Sequence, residues 1–112
     1  MNDKEIEIEI IEKNMTAPRI TLGQIDSIME QVLYEFWIVP NTTTTICVSL
    51  VPMLGGMFTA AVGKSAAVSK DNFDTAIGRK IAQSECERAT RDKLWELEGY
   101  WLKKNIGMEP KQ

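Results

Sequence analysis

A chain of 112 residues with 44% hydrophobic and 26% charged residues has the size and make-up of one globular domain, able to bury a core without disulfides or metals to staple it. The formal charge of -3 and pI near 5.0 argue against a protein whose main task is coating nucleic acid, which needs clustered lysine and arginine. The chain has no histidine, which excludes His-dependent zinc sites, the Ser-His-Asp triad and the Cys-His dyad.

Residues 3–13 alternate acid and isoleucine as a strand would, yet also set Ile6 and Ile10 one helical turn apart, and a short helix is the reading adopted. Pro18 disfavours helix at Ala17, so residues 1–20 form an N-terminal arm or helix. Thr21 is an N-cap for a helix to about residue 33, with Ile25, Ile28, Met29 and Val32 on one face. Residues 33–39 carry Tyr34, Phe36, Trp37 and Ile38 and predict a first strand, ended by Pro40-Asn41. Residues 42–51 predict a second, in which Thr43, Thr45, Cys47, Ser49 and Val51 share one face and Thr44, Ile46, Val48 and Leu50 the other. Gly55-Gly56 supplies the turn. A third strand follows over 58–68, where Gly63 marks either a bulge or a place where another group comes close to the backbone.

Ser69 or Asp71 is the expected cap of a last helix over 72–104, with Phe73, Ile77, Ile81 and Trp95 as its buried stripe. Ile81→Ala is then expected to cost about 2–5 kcal/mol. Glu85, Glu87, Arg88, Arg91 and Asp92 make its middle strongly polar, as in a solvated bridge or two helices meeting at a kink. The fold class is α+β: a single domain whose 21–104 core is a three-stranded antiparallel meander packed against the long C-terminal helix, with 105–112 as a loose tail. No apolar run approaches the roughly 20 residues of a membrane span, and the acidic start is unlike a signal peptide's basic leader. A cytoplasmic protein without a membrane partner is expected.

Gly63-Lys64-Ser65 invites comparison with the end of a phosphate loop, but Phe58 stands where the earlier glycine is needed and no helix starts after Ser65, which argues against a nucleoside triphosphatase. Two readings remain. In one the segment is a strand bulge with an exposed lysine; in the other Lys64, Ser65, Arg79 and Lys80 together bind an anion. Trp37, Tyr100 and Trp101 offer flat surfaces for base stacking or for core and oligomer contacts, as does Trp95. Cys47 and Cys86 read as free thiols used as small hydrophobes rather than a redox pair. Glu85, Glu87, Asp92, Glu96 and Glu98 show no general acid and base pairing, Glu87 and Arg91 having ordinary helix spacing. No metal or cofactor is expected.

The words Thr16-Ala17-Pro18-Arg19, Tyr34-Glu35-Phe36-Trp37, Thr42-Thr43-Thr44-Thr45-Ile46-Cys47, Gly63-Lys64-Ser65-Ala66-Ala67, Asn72-Phe73-Asp74, Gly78-Arg79-Lys80-Ile81-Ala82 and Lys93-Leu94-Trp95-Glu96-Leu97-Glu98-Gly99-Tyr100 run through most of the chain. In that order they resemble a family of short accessory proteins carried by tailed phages and prophages, many of which carry an acidic residue where this chain has Lys64. The resemblance implies a phage setting and a bacterial host cytoplasm, and no particular reaction. Three functions are open within it. The chain is a non-enzymatic interaction protein that modulates a host process or host defence, a binder that sequesters a small anionic ligand such as a nucleotide immune signal, or a small metal-dependent nucleotide hydrolase, the last requiring a metal site the sequence does not show. A homo-oligomer, with a dimer first, is expected because one helix covers only one face of a three-stranded sheet.

Overall fold

The computed structural model describes residues 2–12 and 18–107, so Thr16 and Ala17 and the segment 108–112 lie outside the described residues. Helix α1 is Asp3–Glu12, begun by Asn2, whose side chain accepts from the Glu5 N–H at 2.8 Å. Helix α2 is Leu22–Met29, and the Thr21 hydroxyl accepts from the Gln24 N–H at 3.1 Å as a capping threonine does. It stops short of residue 33 because tight turns from Gln31 to Ile28 and Val32 to Met29 lead the chain into the sheet.

The strands β1 (Leu33–Ile38), β2 (Thr44–Val51) and β3 (Phe58–Ala66) form one antiparallel sheet in the order β1-β2-β3. Asn41 at φ 64° turns the chain between the first two, and Gly56 at φ 119° does so in the hairpin between the last two, where glycine carries no steric cost. The register shifts between Ser49 and Leu50, which pair with Ala61 and Thr59, so Ala60 is the extra residue of a bulge. The bulge therefore sits at Ala60, and Gly63 has the other role foreseen for it.

After a 3-10 turn at Lys70–Asn72, capped by the Ser69 hydroxyl, helix α3 runs unbroken over Thr75–Gly107. Its cap is Asp74, whose carboxylate accepts from the Ile77 N–H at 2.9 Å, rather than Ser69 or Asp71. The polar middle does not divide the helix, because Cys86 and Thr90 keep one side of that stretch buried against the sheet. Residues 105–107, expected in a loose tail, continue α3.

The face that α3 turns to the sheet is not the expected one. Ile77 and Ile81 are 57% and 49% exposed, and Phe73 and Trp95 are only half-buried. The buried stripe is instead Gly78, Ala82, Cys86, Thr90 and Leu94, each four residues from the last. It lies against Thr45, Cys47, Ser49 and Val51, every second residue of β2 and all buried, and against Gly63 of β3. Small side chains on both surfaces let the backbones approach: a Cβ at Gly63 would lie under 3 Å from Ala82 O, Cys86 N and Cys86 Cα, and one at Gly78 would lie 2.8 Å from Thr45 Oγ1. Hydroxyls span the seam. The Thr90 hydroxyl has two acceptors within reach, Ser49 Oγ at 2.7 Å and the Cys86 carbonyl at 2.6 Å, and Ser49 accepts from the Ala61 N–H at 3.0 Å. An apolar cluster of Ile25, Val32, Val51, Ala60 and Leu94 closes the far end, where α2 lies.

Gly63→Ala is expected to lower unfolding stability by about 1–3 kcal/mol or more, because backbone rather than a flexible side chain must move to admit the methyl. Urea denaturation checks this, and a variant as stable as the parent contradicts the close approach.

Candidate functional site

The four residues expected to form an anion site are spread over different surfaces. Lys64 pairs with Ile46 across the ladder and points to the sheet face away from α3, whereas its neighbour Ser65 faces the helix side. Ser65 helps line a small cavity of about 140 Å³ with Thr43, Asn72, Phe73, Asp74 and Gly78. Arg79 is on α3 with its guanidinium 5.6 Å from the centre of the Phe36 ring, a cation–π contact, and Lys80 is exposed one residue further on. Trp37 is 60% exposed on the outer face of β1, beside the Thr45 end of the sheet. Tyr100 and Trp101, 66% and 60% exposed, lie past Leu94 beyond the opposite end.

An apolar concavity lies at that opposite end and was not foreseen. It is a groove of about 390 Å³ between α2, the end of the β2–β3 hairpin and α3, with Ile28, Val51, Met53, Phe58, Leu94 and Leu97 as its apolar wall and Gln31 and Glu98 as its polar groups. The volume is within the range of ligand-binding clefts. Leu54 and Met57 at the hairpin tip are exposed beside it. Trp101 stands four residues after Leu97 and seven after Leu94, so it continues the groove side of α3. The helix carries that stripe beyond the end of β2: the radius of gyration is 18.2 Å, against about 13 Å for a compact chain of this size. The signal in the sequence was Met53, Leu54, Met57 and Phe58 clustered about a turn, where polar residues are usual.

A second, polar cleft is formed by Asp26, Glu30, Tyr34, Glu87 and Arg91. Arg91 donates to Asp26 at 2.8 Å and ties α3 to α2, so its guanidinium has a structural partner. Burial, with the Glu87 carboxylate nearby, pushes the Tyr34 phenol from 10.0 up to about 12. Burial, with Cys86 beside it, pushes the Cys47 thiol from 9.0 up to about 12. Both cysteines are buried and unbridged, and Cys86 directs its thiol at the Ala61 carbonyl at 3.6 Å. The Cys47 thiol, held protonated by burial, is a poor nucleophile. No group of three or more Asp, Glu or Cys with metal-holding geometry occurs among the described residues, and no helix there is long and apolar enough to cross a membrane.

These features define an α+β domain with an apolar groove and a polar cleft open at its surface. The family follows from the sequence: the phage protein (N4 Gp49/phage Sf6 gene 66) family model matches residues 20–106, and the chain belongs to that family. No curated protein and no solved structure matches the chain.

The raised Tyr34 and Cys47 values set an alkaline limit. The unfolded chain gives up these protons first, so their contribution is complete below about pH 9 and is lost as pH rises towards 12. Thermal melts from pH 8 upward are expected to show the decline, and Cys47→Ala should move its onset from near 9.0 towards the tyrosine's 10.0. An onset unchanged in Cys47→Ala contradicts the assignment to the thiol.

Proposed function

We propose that this phage-encoded protein acts by binding rather than catalysis, and that it docks a host polypeptide in the apolar groove between α2, the hairpin end and α3. The observation that supports this is the groove itself, an apolar wall of Met53, Phe58 and Leu97 with one carboxylate, Glu98, at hand. Methionine suits a surface that must adapt to a partner, and a groove between helices takes an amphipathic segment through anchors spaced three and four residues apart. Glu98 has no ion pair among the described residues, so a lysine or arginine beside those anchors is the matching chemistry, in keeping with a chain of net charge -3. The setting is the bacterial host cytoplasm, where the bound partner is a component of a host process or host defence.

Sequestration of a nucleotide signal is the alternative. Within one copy of the chain it has less behind it, since Lys64 and Ser65 face opposite sides of the sheet and Arg79 lies on Phe36.

The test is affinity capture from host lysate followed by calorimetry of the purified partner against wild type and Leu97→Glu. Leu97 is 38% exposed, so the change leaves the fold in place. Loss of a buried apolar anchor together with a misplaced charge should weaken binding at least about tenfold. A partner held equally by Leu97→Glu, or stabilisation by cyclic or linear nucleotides with no protein partner, contradicts the proposal.

A further inference from the structure

The sheet is built inside out. An antiparallel sheet with one solvated face places polar residues outward, but here the face under α3 is Thr45, Cys47 and Ser49 while the central strand turns Ile46, Val48 and Leu50 away from it. The register extends this outer face in rows: Leu33, Leu50 and Thr59; Glu35, Val48 and Val62; Trp37, Ile46 and Lys64. Leu33, Trp37 and Val62 are 49%, 60% and 55% exposed. Helices α2 and α3 both lie on the opposite side, so this face is a continuous apolar plate of the kind that marks an interaction surface.

The charges on the plate indicate what covers it. Its acidic group, Glu35, is on edge strand β1; its basic group, Lys64, is on edge strand β3; neither has an ion pair among the described residues. We infer that the plate is a self-association surface on which a second copy of this chain stacks face to face, related by a two-fold axis along β2. That axis lays β1 of each copy over β3 of the other. Lys64 then meets Trp37 of the partner subunit in its own row and Glu35 of the partner subunit one row away, and the symmetry makes both contacts twice. An axis across the strands would instead set β1 over β1 and bring the two glutamates together, which like-charge repulsion opposes. The rows of Ile46, Val48 and Leu50 fill the space between the stacked sheets, about 10 Å apart.

The inference is independent of the groove, which opens on the α3 side at the end of the hairpin. Sedimentation equilibrium of the full chain at tens of micromolar is expected to give twice the 12.6 kDa chain mass. Glu35→Lys and Lys64→Glu, both at exposed positions, should each weaken the dimer by about a hundredfold, since each reversal acts twice. The double variant, which restores unlike charges across the axis, should recover it, with circular dichroism confirming the fold throughout. A wild-type monomer under these conditions overturns the inference. So does a dimer indifferent to both reversals, or one lost only in Leu97→Glu, which places the contact at the groove.

Discussion

The arrangement of this domain depends on how closely α3 approaches the sheet. At Gly63 there is no room for a single methyl between strand and helix. A gap that narrow admits only hydrogen, methyl, thiol and hydroxyl groups, which is what Gly78, Ala82, Cys86 and Thr90 bring from one side and Thr45, Cys47, Ser49 and Gly63 from the other. Burying so little hydrocarbon yields less hydrophobic stabilisation than a leucine-rich seam would. Dispersion between backbones in contact and the Ser49–Thr90 hydrogen bond contribute what the side chains do not.

The same constraint dictates the surface. Large apolar residues cannot enter the seam, so those the sequence contains lie elsewhere: Ile46, Val48 and Leu50 on the outer face of β2, Ile77 and Ile81 on the flank of α3, and Met53, Phe58 and Leu97 around the groove. The protein thus presents as surface much of what other small domains keep as core. A fold of this kind is consistent with the binding role proposed above, and the apolar plate and the groove are two separate consequences of one packing choice.

Much of the fold was legible in the sequence. β-propensity and turn residues located three strands and the Gly55-Gly56 hairpin, Thr21 announced its helix, and alternation sorted β2 into its two faces. Which face meets α3 was not legible, because hydrophobic periodicity gives weight to Ile77 and Ile81 and little to Gly78 and Ala82 beside them. A small residue every fourth position, together with a glycine inside a strand, was the available signal of close packing. The anion-site grouping ran against period-two geometry: Lys64 and Ser65 are neighbours in a strand, so their side chains point apart. The groove was hidden for another reason, as its wall comes from three elements that only the fold brings together.

The most direct test of the close-packed seam compares two neighbouring substitutions by urea denaturation, Ile81→Ala and Ala82→Leu. Small-residue packing predicts that Ile81→Ala, at a half-exposed position, changes stability by less than about 1 kcal/mol, while Ala82→Leu, forced into a filled gap, destabilises by about 1–3 kcal/mol or more. The reverse order, with Ile81→Ala costing about 2–5 kcal/mol and Ala82→Leu tolerated, would place the isoleucine face on the sheet and contradict the account.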